Sequence, residues 1–208
     1  HITTTASGGL SLKAGSDTIT TPPLSLYGYH QAQNAALALM ALRGSGLATD
    51  LAAAAEGAGQ ADWPARIQRL KDGHLTKLAG RTVWLDGAHN VHGARALVAS
   101  LSSLYPRKWI IIFGTLKTRP ADEFLSVIEP IADRIYCLTI PNQPAALEAS
   151  TLVSRARTLG LKADSADDIS SACRAIGRLG ATDDQPVIIC GSLYLAGAVL
   201  QANGTLPD

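Results

Sequence analysis

The sequence has 208 residues, 47% of them hydrophobic and 17% charged, which supplies a buried core and excludes wholesale disorder. Eighteen Lys and Arg face 17 Asp and Glu. The resulting net charge of +1 gives no electrostatic case for a nucleic acid or an anionic membrane surface, but it allows one anionic ligand held by a few local groups.

The chain opens on His1 rather than Met, and His1–Thr5 has no signal-peptide character, so it reads as the later part of a longer protein whose N-terminal part is missing. Residues 1–28 are rich in Thr, Ser, Gly and Pro. Leu10-Ser11-Leu12 and Thr18-Ile19-Thr20 alternate like short strands, and Pro22-Pro23 stops regular structure. Gln31 to Leu42 is dense in Ala, Leu and Met and predicts a helix ended by Gly44-Ser45-Gly46. Thr49-Asp50 can cap a second helix over Leu51–Glu56. Gly57–Asp62 reads as a linker that divides residues 1–60 from 61–208.

A strand–helix rhythm follows. Strands are predicted at Arg81–Leu85, Trp109–Phe113, Arg134–Leu138, Leu161–Ala163 and Val187–Cys190. Helices are predicted to about Leu104, near Ala121–Glu129, at Leu147–Leu159, at Ala166–Leu179 and at Ser192–Gln201. The fully apolar runs mark strands buried on both faces. Five β-α repeats predict an α/β fold with a Rossmann-like, mostly parallel sheet and helices on both faces. Cys137, Cys173 and Cys190 lie far apart without CxxC spacing, and no apolar run reaches the ~18 residues that span a bilayer. The expectation is buried thiols, a reducing cytoplasm and no membrane.

Ligands of such folds sit at the carboxyl ends of the strands. The first loop there is Asp86-Gly87-Ala88-His89-Asn90. Asp86 can accept hydrogen bonds from ribose hydroxyls, and His89 and Asn90 stand at a helix start that favours an anion. The same string is also compatible with a plain turn capped by Asn90. The second loop, Gly114–Arg119, brings Lys117 and Arg119, which suit phosphate or carboxylate or form a solvated basic turn. It lacks the Gly-Lys-Ser/Thr ending of a P-loop. In the third loop, Ser192 either binds or only caps the last helix. His30 and Asn34 share a helix face, with Gln31 beside them; amide contacts to a base and a solvated helix start both remain open. His89 and His92 have no third metal-ligating partner.

Together these pieces resemble one family. Leu26-Tyr27-Gly28-Tyr29-His30-Gln31-Ala32-Gln33-Asn34-Ala35, Trp63-Pro64-Ala65-Arg66, Leu85-Asp86-Gly87-Ala88-His89-Asn90 and Gly191-Ser192-Leu193-Tyr194-Leu195-Ala196-Gly197 are similar, in order, to the motifs of folylpolyglutamate and dihydrofolate synthases of the Mur ligase superfamily. The resemblance implies that residues 1–60 end a P-loop ATPase domain and that 61–208 form the C-terminal ligase domain, with the site in the cleft between them. It implies ATP-dependent amide formation, in which a carboxylate of dihydropteroate or folate is activated as an acyl phosphate and attacked by the amine of L-glutamate. ATP and Mg²⁺ are the implied cofactors, with the metal ligands mainly in the absent domain. The implied partners are small molecules, and a monomer is expected.

By the same resemblance Asn34 corresponds to an adenine contact, Arg66 to an arginine reaching nucleotide phosphates, and Asp86 to the ribose acceptor. His89 lies between the nucleotide and amino-acid sites, with Asn90 and Ser192 near glutamate, and catalysis falls to His89 and Arg66. His30 and Gln31 would support the interdomain face. Three departures stand out: Val91 replaces the Pro after His-Asn, Thr118-Arg119 replaces Asp-Lys, and an extra loop lies near Asp72-Gly73-His74. The isolated chain is expected to be inactive. The alternatives are a peptidoglycan Mur ligase, a nucleotide-binding or interaction domain without ligation, and a dinucleotide-binding domain, for which no G-x-G-x-x-G is present.

Overall fold

The computed structural model describes residues 2–5, 8–15, 17–47, 50–179 and 185–206. Two compact units divide the chain, His1–Pro64 and Ala65–Asp208.

In the first unit, β1 (Ile2–Thr4), β2 (Leu10–Ala14) and β3 (Asp17–Thr20) pair antiparallel in that order. Helix α1 (Tyr29–Ser45) runs longer than the composition predicts and ends where Gly46 turns left-handed at φ +68°. Helix α2 (Leu51–Gly59) begins at Asp50, whose carboxylate accepts from Ala52 N at 2.9 Å and Ala53 N at 3.1 Å. Thr49, expected to share that cap, lies outside the described residues, as do His1 and the Ala6-Ser7 pair. Residues 57–59, expected in a linker, are helical instead: despite two glycines the helix runs on to where Gln60 N donates to Glu56 O and Gly57 O, and Ser25 Oγ donates to Gly59 O at 2.8 Å. Leu10, Leu12 and Ile19 pack with Ala32, Ala36 and Leu39 of α1 and with Ala55 of α2.

The second unit contains a six-stranded sheet. In chain order its elements are β4 (Gln68–Arg69), α3 (His74–Ala79), β5 (Val83–Leu85), α4 (Val91–Leu104), β6 (Trp109–Phe113), α5 (Ala121–Ile128), β7 (Ala132–Cys137), α6 (Ala149–Thr158), β8 (Ala163–Ser165), α7 (Ile169–Gly177), β9 (Val187–Cys190) and α8 (Leu193–Asn203). The spatial order is β4-β5-β9-β6-β7-β8, parallel except for β4 at the edge. The segment expected as an extra loop near Asp72-Gly73-His74 leads instead into α3. Six residues cannot hold a helix by themselves; here the buried Asn203 side chain accepts from Leu75 N at 3.0 Å.

The strand period of two sorts side chains to two faces. Trp109, Ile111 and Phe113 of β6 meet α4, α5 and α6 on one face, whereas Ile110 and Ile112 meet α7 and α8 on the other, where α3 also packs. Both faces are thus covered, which is why β6 and β9 are apolar at every position.

All three cysteines are free and buried in this sheet unit. Burial pushes the Cys137 and Cys173 thiols up to about 12 and raises that of Cys190 as well. Iodoacetamide at pH 8 is therefore expected to leave the native protein unlabelled and to label three sites per chain after denaturation. Mass spectrometry reads the difference, and fast native labelling would contradict the packing.

Candidate nucleotide and substrate site

Three loops leave the carboxyl ends of the neighbouring strands β5, β9 and β6. Backbone hydrogen bonds tie them together: Asp86 N donates to Ile189 O at 3.0 Å, and Gly191 N donates to Ala88 O at 2.9 Å. The loop order follows from β9 inserting between β5 and β6, so the last strand of the chain brings Ser192 beside Asp86–Asn90.

Asp86 is the buried centre of this cluster, with 6% of its surface exposed. Its Oδ2 accepts from Ile67 N at 2.9 Å and its Oδ1 from Ala88 N at 2.7 Å. Desolvation raises its pKa above the usual carboxylate value. The two backbone donors, then Arg66 and His89, oppose that rise.

Arg66 is presented by a contorted backbone. Ala65 and Ile67, on either side of it, both lie in the left-handed region, at φ +57° and +47°. A β-branched residue there is strained, and such strain persists only when surrounding bonds hold it. Three bonds do so: Ala65 N to Gln68 Oε1 at 2.9 Å, Gly87 N to Ala65 O at 2.9 Å, and Ile67 N to Asp86. The guanidinium donates to Ala65 O at 3.2 Å and has no carboxylate within ion-pair distance among the described residues. Gly87 makes room for it, since a Cβ at that position would overlap Leu193 and stand 3.0 Å from Arg66 Nη1. Gln68, Ile67 and Leu193 are therefore parts of the site that sequence reasoning missed, whereas Gly87 already stood in the candidate loop as its small residue.

His89 Nδ1 lies 3.0 Å from Gly87 O. A carbonyl can only accept, so Nδ1 carries the proton and Nε2 is the acceptor of the neutral ring. Asn90 caps α4 by accepting from Gly93 N at 2.8 Å, and its side-chain amide faces solvent. Ser192 is buried and caps α8, accepting from Tyr194 N at 3.1 Å. Both capping expectations hold, and each side chain keeps a donor beyond its cap. Arg66, Asp86, His89, Asn90 and Ser192 all belong to the second unit. Lys117 Nζ bonds Pro144 O at 3.5 Å, and Arg119 is exposed, so neither joins the Asp86 cluster.

In the first unit, His30, Gln31 and Asn34 form a chain at the start of α1. Gln31 Nε2 meets His30 Nε2 at 3.1 Å, and Asn34 Nδ2 donates to Gln31 Oε1 at 3.1 Å. Gln31 is buried and Asn34 is exposed. Among the described residues no three His, Cys, Asp or Glu converge as metal ligands, and no helix is long and apolar enough to cross a membrane.

A buried carboxylate, a histidine and an arginine with no ion-pair partner among the described residues thus stand together at adjoining strand ends of a mostly parallel α/β unit, where such folds hold their ligands. Residues 66–193 match the family model described as Mur ligase, glutamate ligase domain, and the chain belongs to that family. Its relatives within it are more specific. It is 30% identical over 211 residues to the dihydrofolate synthase/folylpolyglutamate synthase of Mycobacterium tuberculosis, covering 89% of this chain and 40% of that protein. The structure of Mycobacterium tuberculosis folylpolyglutamate synthase complexed with ADP superposes with a TM-score of 0.85 at 26% identity, over 100% of this chain and 48% of that one. A bifunctional folylpolyglutamate synthase/dihydrofolate synthase with Mn, AMPPNP and L-glutamate bound matches with a TM-score of 0.74 at 27% identity, over 94% of this chain and 44% of that one. The chain spans less than half the length of the curated relatives it matches.

Proposed function

We propose that this chain is the C-terminal portion of an ATP-dependent ligase that joins L-glutamate to dihydropteroate or a folyl-(poly)glutamate. The observation that carries this reading is Arg66, a half-buried cation with no carboxylate within ion-pair distance among the described residues, held by strained backbone near the buried Asp86. Such a cation suits phosphate oxygens, where it stabilises charge that develops as phosphate is transferred. The family reading adds ATP, which activates the substrate carboxylate, and a divalent cation whose ligands belong to the preceding domain.

The residues present fit a nucleotide. Each Asp86 oxygen retains a lone pair after its backbone bond and can accept from a ribose hydroxyl. Asn34, in the first unit, has the amide chemistry to read adenine. His89, its Nδ1 engaged by Gly87 O, has Nε2 left for the amine of glutamate, while the Asn90 amide and the Ser192 hydroxyl offer donors to its carboxylates. Residues 1–60 would end the ATPase domain, and a cytoplasmic monomer is the expected setting.

The test is glutamate ligation by the complete protein with dihydropteroate and with tetrahydrofolate, alongside the 208-residue chain. Ligation is expected from the complete protein alone, and Arg66→Ala is expected to lower its kcat/KM for ATP by roughly 100-fold, the size of losing one charged transition-state contact. Ligation by the 208-residue chain would overturn the inactive-fragment reading, and no ligation by the complete protein would overturn the function.

A further inference from the structure

We propose that the second unit carries an anion-binding site distinct from the Asp86 cluster, in a cleft that takes a small multivalent oxyanion. The cleft encloses about 680 Å³ between the end of β4, helix α3 and the turn that enters β5. That volume lies in the range of small-molecule sites. Val83 begins β5 in its floor, whereas Asp86 follows the other end of the same strand, so the two sites lie at opposite ends of β5.

Charge is the first argument. Among the described residues, Arg69, Lys71, Lys77 and Arg81 line the cleft against a single carboxylate, Asp72. The whole chain has a net charge of only +1, so this concentration is local. Arg81 has an interaction of its own, and the surplus rests on the other three, none of which has an ion-pair partner among the described residues. Several cations converging on one concavity reinforce one another towards a multivalent anion. The Thr82 hydroxyl, half-buried in the same lining and without a hydrogen bond among the described residues, supplies a neutral donor.

The second argument is that the walls are built. The loop bearing Lys71 is pinned from α8: Asn203 Nδ2 donates to Lys71 O at 3.0 Å, and Asn203 Oδ1 accepts from Leu75 N. Gly73 permits this approach, because a Cβ there would overlap the Asn203 carbonyl. The other side is fixed by Leu70 N donating to Val83 O at 2.9 Å. Cations on a fixed frame lose less entropy on binding than cations on a free loop. Phosphate and carboxylate groups share the required chemistry, so the ligand is either a polyphosphorylated or a polycarboxylated small molecule.

Calorimetric titration of the 208-residue chain with tripolyphosphate and with citrate, at ionic strength matched by NaCl, tests the proposal. One-to-one saturable binding is expected for at least one anion, and the tighter of the two identifies the ligand class. The exposed pair Lys71→Glu with Lys77→Glu is expected to weaken it at least tenfold, and Arg69→Gln alone about threefold. In an Arg66→Ala background, where the Asp86 cluster has lost its cation, the affinity is expected to stay within about twofold. Circular dichroism confirms that each variant is folded. Failure of both anions to bind, binding indifferent to the charge reversals, or binding lost with Arg66→Ala would each overturn it.

Discussion

Asp86→Ala is expected to lower the unfolding free energy of this chain by about 2–6 kcal/mol, because it strands two backbone donors at about 1–3 kcal/mol each. Those donors are Ile67 N and Ala88 N. Ile67 adds to the cost, since the carboxylate is one of the bonds that keep its left-handed backbone in place. The pH dependence has a definite sign. Burial raises the Asp86 pKa above its unfolded value of 3.8, so the folded state holds the proton more tightly. The contribution of Asp86 is then fully present below 3.8 and declines as pH rises through the raised folded value. Urea unfolding of wild type and variant at a series of pH values should show their difference largest in acid and smaller at neutrality. A difference that grows with pH would mean that the ion is favoured where it sits. In the complete protein, under the proposed ligase reading, Asp86→Asn sets its amide nitrogen against one of the two backbone donors, so the ribose role is read from KM values, which do not depend on how much enzyme folds. Loss of a ribose acceptor raises KM for ATP by about tenfold, worth about 1.4 kcal/mol, with KM for glutamate unmoved. A purely structural residue would reduce the amount of active enzyme and leave both KM values alone.

How Asp86 works also marks the limit of what the sequence made legible. The fold was readable because β6 and β9 are unbroken apolar runs, Trp109–Phe113 and Val187–Cys190, and the structure places both strands at those bounds. The loop Asp86–Asn90 was readable as a strand-end turn too polar for its length. What sequence could not show is that Ile67 adopts φ +47° to present Arg66, because propensity assigns a β-branched residue to extended backbone. Local preference fails there because tertiary bonds override it, which is where departures from local rules concentrate in functional sites. Strand β4 and helix α3 were invisible for a different reason. A two-residue strand and a six-residue helix carry no period, and α3 is held by Asn203, more than a hundred residues later. Asn90 and Ser192 could not be divided between capping and binding from sequence. The structure shows that capping uses one side-chain oxygen of each and leaves a donor, so the two roles are compatible.

Gly191→Ala is expected to be the most damaging single methyl group in the site. Gly191 sits at φ +113°, where side chains are strained, and its Cβ would lie 2.5 Å from Gly114 O and 2.6 Å from the Phe113 ring. Neither can retreat. Gly114 continues β6 in the sheet centre, and Phe113 is fully buried and stacks on Phe124 with ring centroids 5.1 Å apart. Overpacking of this kind costs about 1–3 kcal/mol and the backbone strain a similar amount, so a loss of about 2–6 kcal/mol is expected. Relief by moving the loop would break the Gly191 N bond to Ala88 O and displace Ser192 and Leu193, and Leu193 packs over Gly87 beside Arg66. Under the proposed nucleotide-binding reading, stability and ADP affinity should therefore fall together. Gly197→Ala is the matched control: the same change in the exposed middle of α8 meets nothing within 4 Å and should stabilise by about 0.5–1 kcal/mol through helix propensity. Denaturant midpoints of the two variants measure the contrast. Equal and small effects would mean that the loop joining β9 to α8 yields, and that it does not hold Leu193 and Arg66 in register.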